Sequence, residues 1–304
     1  MEKDRYRKVI DESTVNVDLE VIKKEISKIY EKLPSLKTPE IYSRIFNCID
    51  LTSLHTDDNQ ESISEFVQRV NDFDNDYPQF KNVAAVCVFS NFAGLVRSLL
   101  EVTGVRIAVV AGGFPSGQTF TAIKVADSAL AVAEGADEVD VVMNIGMLKD
   151  GNYEELCDEL IEVKHSVKDV RMKVIIESGA LKDLEEIRTA SILALWSEAD
   201  FIKTSTGKGY AGASPEAAYV MCNCIKEYYE KTGKKVGFKA AGGIKSAEDA
   251  LLYYAIVREV LGEEWLNNEY FRIGASSLAN SVLGEMTQNV ESNILEAKVQ
   301  PRDT

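Results

Sequence analysis

Two patterns alternating along the chain constrain its fold more than any other feature of the sequence. From about residue 45 onward, short runs rich in Val, Ile and Ala alternate with amphipathic helical stretches. The predicted strands are Phe46–Leu51, Ala84–Phe89, Arg106–Ala111, Glu138–Met143, Met172–Glu177, Phe201–Thr204, Val236–Ala240 and Phe271–Gly274. Several are continuous apolar runs rather than strict alternation, the pattern of parallel strands covered on both faces. Between them lie helix-period segments such as Thr119–Glu134, Tyr153–Val167, Leu184–Trp196 and Pro215–Tyr229. Small residues just before strands, Gly135-Ala136 and Gly233, mark tight turns. Strands that each lead into a helix, repeating about every thirty residues, predict an α/β chain folded as a (β/α)8 TIM barrel. An open, doubly wound sheet is the competitor, because a βα repeat does not by itself demonstrate closure.

Residues 1–40 stand outside this repeat. Leu19, Ile22, Ile26, Ile29 and Leu33 are spaced by three and four, with Lys and Glu between them. This predicts a helix with a narrow apolar stripe that ends near Pro34. It is expected to close the bottom of the barrel or to pack on a partner subunit. The domain reading is therefore an N-terminal helical extension over 1–40, a barrel over 41–290 and a polar tail over 291–304.

Charge and cysteine usage narrow the function classes. Lys and Arg number 34 against 49 Asp and Glu, a formal net charge of −15. Such a chain is repelled by nucleic acid and by anionic membrane, so neither is expected as a partner. No apolar run approaches the ~18 residues needed to span a bilayer, and Met1 to Arg5 has no signal-peptide character. Five cysteines, at 48, 87, 157, 222 and 224, suggest reduced thiols and a cytoplasmic protein. His55 and His165 are the only histidines. Cys222 and Cys224 point to different sides of a helix. No metal site is expected, which leaves any chemistry to Lys, Asp, Glu, Ser or Tyr.

In a parallel barrel, reacting groups sit at the C-terminal ends of the strands. Two lysines, Lys203 and Lys239, fall inside apolar strands there, although lysine is almost never fully buried unless paired. Each could be paired with a barrel carboxylate such as Asp140 or Glu177. On adjacent strands at one level, however, two ammonium groups repel and desolvation disfavours charge, so one should lose its proton easily. An ordinary lysine, with pKa about 10.4, is neutral in only about one molecule in 2,500 at pH 7. A pKa near 7 or 8 would make the nucleophilic amine abundant, as Schiff-base chemistry requires. Asp50 and Asp140 read as buried carboxylates facing the same mouth, able to bridge these lysines or to transfer protons. Cys87 reads as packing.

Glycines and serines after the last strands supply a second feature. Gly207, Gly242, Gly243, Gly274, Ser276 and Ser277 lie where this fold builds phosphate sites from bare backbone N–H groups and a helix N-terminus. Ser276 and Ser277 could equally cap the last helix. The stretch Gly207-Lys208-Gly209-Tyr210-Ala211-Gly212 formally matches a dinucleotide fingerprint. The following strand carries Lys239 where that fingerprint wants an acid, so no nicotinamide cofactor is expected.

The segments IDLTSL, DEVDVV, KVIIESG, DFIKTSTGK, VGFKAAGGIKSAEDA and FRIGASSL, in that order between about Ile49 and Leu283, resemble the deoxyribose-phosphate aldolases, a class I aldolase family. The resemblance implies a (β/α)8 barrel and reversible cleavage of 2-deoxyribose 5-phosphate to acetaldehyde and glyceraldehyde 3-phosphate, in deoxyribose phosphate catabolism. It implies a sugar phosphate as the small-molecule partner, no cofactor, and a homo-oligomer, a dimer. It assigns the Schiff base to Lys203, perturbation of that amine to Lys239, proton transfer to Asp140 with Asp50 assisting, and phosphate binding to the six glycine and serine positions. Two departures are visible. Ala240 stands where the family motif has proline, and the sequence ends Pro301-Arg302-Asp303-Thr304 where some members have a tyrosine linked to proton transfer. The rival readings are a phosphosugar isomerase or epimerase using Asp140 as base, and a non-catalytic sugar-phosphate-binding protein.

Overall fold

The structure, a computed structural model, describes residues 5–287. Eight strands form one ring: β1 (Ile49–Thr52), β2 (Ala85–Phe89), β3 (Arg106–Ala111), β4 (Glu138–Val142), β5 (Arg171–Ile175), β6 (Phe201–Lys203), β7 (Gly237–Ala241) and β8 (Phe271–Ala275). They run in sequence order and in parallel, and β1 pairs with β8, which makes the sheet a closed barrel rather than an open one.

Three helices precede the barrel: α1 (Arg5–Asp11), α2 (Leu19–Leu36) and α3 (Pro39–Phe46). The outer ring follows strand by strand as α4 (Gln60–Asp76), α5 (Ala93–Leu99), α6 (Thr121–Ala133), α7 (Ile145–Lys149), α8 (Tyr153–Val167), α9 (Leu184–Trp196), α10 (Pro215–Thr232) and α11 (Ala247–Leu261). Residues 278–287 are helical after β8. Local chemistry starts many of these helices. The side chains of Asp18, Thr38, Asn59, Asp183, Ser214 and Ser246 accept from first-turn N–H groups. Pro215 begins α10, where its missing N–H costs nothing.

Strand parity divides the core. Val86, Val109, Val139, Val174 and Phe238 belong to the large cluster shared with the helices. Ala85, Cys87, Ala108 and Val110, one residue out of step, form a small cluster with Leu54. Successive strand residues face opposite sides, so this second set lies inside the barrel. On β4 to β8 the same parity includes the charged residues Glu138, Asp140, Lys173, Lys203, Lys239 and Arg272, which build the site described below.

Two sequence expectations are corrected. The first predicted strand begins at Phe46, but Phe46 closes α3 and stacks on Phe73 with ring centroids 4.8 Å apart. With Tyr42 and Ile45 it forms the buried helical face that follows the Thr38 cap. The extension helix is expected to stop near Pro34, yet α2 runs on to Leu36. The proline falls in the last turn and Leu33 and Leu36 beside it are buried, so packing outweighs the lost hydrogen bond.

Ile22, Ile26, Ile29, Leu33 and Leu36 are the buried side of α2, and Leu19 is exposed. This helix packs against α10 and α11 of its own barrel, and the ion pairs Lys32–Glu259 and Lys37–Glu248 border the contact. The tail read at 291–304 lies outside the described residues. Ile22 is fully buried, so Ile22→Ala is expected to destabilise the chain by about 2–5 kcal/mol. The measurement is the urea midpoint at unchanged slope. An unmoved midpoint would show that the stripe contributes nothing to stability.

Candidate active site

The site grows from single charged residues set in apolar strands. On β4, Glu138 and Asp140 share one parity and Val139 and Val141 the other. In the β4–β5 register Asp140 faces Lys173. Lys203 of β6 faces Lys239 of β7, which in turn faces Arg272 of β8. Closure of the ring then brings in Asp50 from β1.

These seven side chains form one buried network, with Lys203 3% exposed and the rest at 0%. Lys203 Nζ donates to Asp140 Oδ2 at 2.8 Å. Lys239 Nζ donates to the same oxygen at 2.8 Å and to Asp50 Oδ2 at 2.5 Å. Lys173 lies 2.7 Å from Asp140 Oδ1 and 2.7 Å from Glu138 Oε2. Arg272 donates to Asp50 Oδ1 at 2.5 Å and to Glu138 at 2.8 Å.

The three lysines are electrostatically unequal. Burial pushes Lys203 below the ordinary lysine range; Asp140 opposes this and Lys239 adds to it. Burial would do the same to Lys239, but Asp140 and Asp50 outweigh it and hold that lysine above its usual value. Lys173 is likewise held up, against burial, by Asp140 and Glu138. Burial would raise Asp140, yet Lys173, Lys203 and Lys239 hold it well below the usual carboxylate range. The neighbouring ammonium of Lys239 is thus a secondary cause of the Lys203 shift, with burial the larger.

A cavity of about 200 Å³ opens at the mouth, lined by Lys203 and by Gly207, Gly242, Gly243, Gly274, Ser276 and Ser277. Lys208, Lys245 and His55 also border it. Lys239, Asp140 and Asp50 stand behind Lys203 and do not line it. Gly242 and Gly243 have φ of +84° and +81°, a left-handed conformation costly for any side chain. Gly274 differs: a Cβ there would lie 3.0 Å from Lys239 Cε, so its bare backbone makes room for that lysine. Ser276 and Ser277 are exposed and lead into the helix at 278, whose N-terminus favours an anion.

Sequence reasoning missed Lys173, Arg272 and Glu138. Each is a charge set among apolar strand residues, the same signal that singles out Lys203 and Lys239. Glu177, a candidate lysine partner in the sequence, instead takes the Thr206 hydroxyl at 2.6 Å. It has left the strand, with φ +48°, and its carboxylate takes hydrogen bonds from Thr206 instead of pairing with a lysine. Of the dinucleotide-like glycines, Gly212 serves loop packing, since a Cβ on it would sit 2.1 Å from the Gly242 carbonyl oxygen. Among the described residues, no group of three or more His, Cys, Asp or Glu is placed to hold a metal ion.

Fold and site together are those of a barrel that presents one amine, Lys203, at its mouth with carboxylates behind it. The chain belongs to the DeoC/LacD family of aldolases, whose model matches residues 44–278. It is 38% identical to the human deoxyribose-phosphate aldolase over 80% of this chain and 79% of that protein. The bovine deoxyribose-phosphate aldolase is 36% identical, over 80% of each chain. Among solved structures, the aldolase QR15 superimposes with a TM-score of 0.67 at 28% identity, covering 81% of this chain and 98% of that one. A tetrameric deoxyribose phosphate aldolase from Aeropyrum pernix shares the fold at 24% identity, with a TM-score of 0.63 over 86% of this chain and 97% of that one.

Proposed function

We propose that this chain is a Schiff-base aldolase that reversibly cleaves 2-deoxyribose 5-phosphate to acetaldehyde and glyceraldehyde 3-phosphate. One observation carries the assignment. Of the four buried lysines among the described residues, Lys124, Lys173, Lys203 and Lys239, Lys203 alone lines the mouth cavity. Its surroundings also lower its pKa. Lys239 perturbs that amine and Asp50 holds Lys239 in place.

The neutral amine of Lys203 adds to the C1 aldehyde of the open-chain sugar, and loss of water leaves an iminium. A base takes the C3 hydroxyl proton, the C2–C3 bond breaks and its electrons pass to the iminium, releasing glyceraldehyde 3-phosphate and leaving an enamine. Protonation at C2 and hydrolysis by water free acetaldehyde and restore the amine. Asp140 is the carboxylate nearest the reacting nitrogen and serves as proton acceptor and donor. Because it stands behind Lys203, it reaches the C3 hydroxyl through a bridging water. No metal or cofactor enters these steps.

The phosphate is assigned to the rim formed by Gly207, Gly242, Gly243, Gly274, Ser276 and Ser277. Ser276→Glu is expected to raise KM for deoxyribose 5-phosphate at least tenfold and to leave unphosphorylated deoxyribose nearly unaffected, through like-charge repulsion. Equal effects on both sugars would move the phosphate elsewhere. Turnover of deoxyribose 5-phosphate, with borohydride trapping and peptide mapping, tests the whole reading. Turnover without a trapped adduct would favour isomerase chemistry.

The reading extends to a homodimer in the cytoplasm. All five cysteines are free and buried, which suits a reducing compartment, and no described helix is long and apolar enough to cross a membrane. A chain of net charge −15 associates with its own copy most readily through a face poor in charge. The α6 face, with Phe120, Ile123 and Leu130 exposed, is such a face. Sedimentation at several concentrations tests it, and a monomer throughout would refute self-association.

A further inference from the structure

We propose that a count of buried charges keeps Lys203 neutral, with Lys173, Arg272 and Glu138 as the positioning residues that maintain the count. This rests on Lys203 being the Schiff-base amine.

The connected network inside the barrel holds three carboxylates, Asp50, Glu138 and Asp140, and four bases, Lys173, Lys203, Lys239 and Arg272, while the buried Lys124 pairs apart from it with Glu159. An unbalanced charge in such an interior is strongly disfavoured, so three negative charges hold three positive ones and the fourth base sheds its proton. Arg272 cannot be that base, because a guanidinium does not deprotonate in proteins. Lys173 has two carboxylates at 2.7 Å, and Lys239 has two at 2.5 and 2.8 Å. Lys203 has one, and the oxygen it shares, Asp140 Oδ2, already receives Lys239 at the same 2.8 Å. Lys203 therefore has the weakest hold on a proton.

The remaining titratable neighbours do not upset the count. Cys87 is buried and its thiol is pushed up by burial, so it stays neutral. Glu177 makes no ion pair with any of the four bases, takes its hydrogen bonds from Thr206, and is raised by burial, which weakens its hold on a neighbouring ammonium. From the far end of the barrel, Arg106 and Arg171 reach Glu138 at 3.4 and 3.3 Å and both also pair with Glu269. These two cations against one further carboxylate add positive charge, which acts in the same direction. The individual shifts agree: Asp50, Glu138 and Asp140 are lowered, Lys173, Lys239 and Arg272 are raised, and Lys203 alone among these four bases is lowered.

The count makes predictions of opposite sign at residues that touch neither Lys203 nor the cavity. The readout is the pH midpoint of Lys203 acetylation by acetic anhydride in the full-length chain, quantified by peptide mass spectrometry. This reaction needs the neutral amine but no aldolase activity. Lys173→Met leaves three acids and three bases, so Lys203 keeps its proton and the midpoint should rise by about 1–2 pH units. Glu138→Gln leaves a surplus of cations, so the midpoint should fall. The double variant restores the original balance and should return to the wild-type midpoint. Unmoved single-variant midpoints, or a double variant that keeps the Lys173→Met shift, would overturn the proposal. Should Lys173→Met fail to fold, Glu138→Gln decides alone: a downward shift supports the count, and no shift or an upward one defeats it. Acetaldehyde with borohydride on the wild type, run in parallel, reports separately on the Schiff-base reading. A normal acetylation shift with no trapped adduct would overturn that reading and leave the charge count standing.

Discussion

Lys203→Ala is expected to abolish turnover of deoxyribose 5-phosphate at every pH and to leave no borohydride-trapped adduct on the protein. Where the loss of a covalent nucleophile has been isolated, it costs on the order of 10⁶-fold. No neighbour is placed to substitute. Lys239 is behind the cavity wall, held charged by Asp140 and Asp50, and Lys173 is held the same way by Asp140 and Glu138. Raising the pH frees neither, because both pKa values lie above that of an ordinary lysine. Product assays from pH 6 to 10, with mass mapping of the trapped wild type, check this. An acetaldehyde-derived mass on the peptide carrying Lys239 would reverse the roles of the two lysines.

Lys239→Leu is expected to behave differently, with a rate about 10²–10³-fold lower at pH 7 that partly recovers toward pH 9 or 10. In the wild type, Asp140 Oδ2 is shared between two lysine amines at 2.8 Å. Removing one leaves that oxygen to Lys203 and takes away a repelling charge, so both changes raise the Lys203 pKa. The sign follows directly. Below a raised pKa the amine is protonated and idle, and each unit of rise costs about tenfold in neutral amine until the pH passes it. Burial of Lys203 is untouched, which keeps the loss finite. The check is the variant to wild-type rate ratio as a function of pH. A ratio that stays flat from pH 6 to 10 would show that Lys239 acts by passing protons rather than by setting the amine.

The contrast between these two lysines is partly legible in the amino-acid sequence. A strand whose neighbours are Val, Ile and Phe has no ordinary place for a lysine, so Lys203 and Lys239 stand out as isolated charges. That they share one side of the sheet follows from the register of β6 on β7, in which Lys203 faces Lys239. The isolated-charge reasoning, applied to Lys173 in KVII and Arg272 in FRIG, finds the rest of the cluster. Those residues escape a reading confined to strand ends, because the network extends down the barrel. Glu177 fails in the opposite way. It looks like the end of a strand in sequence, but its backbone is left-handed and its carboxylate takes hydrogen bonds from Thr206.

The sequence by itself determined the βα repeat, the helix starts at Leu184 and Pro215, and the identity of the lysines that needed explaining. All of these depend on residues within a few positions of one another. Tertiary structure decided what depends on distant ones. Phe46 became helical because Phe73 offers it a stacking partner, and α2 passes Pro34 because Leu33 and Leu36 are buried. Closure of β1 onto β8 joins Asp50 to Arg272, 222 residues away, and to Lys239, 189 away. Which lysine sheds its proton follows from how many carboxylate oxygens each one reaches in that closed ring. No local pattern records that number, because electrostatic interactions act through distance in space and the chain brings these groups together only by folding.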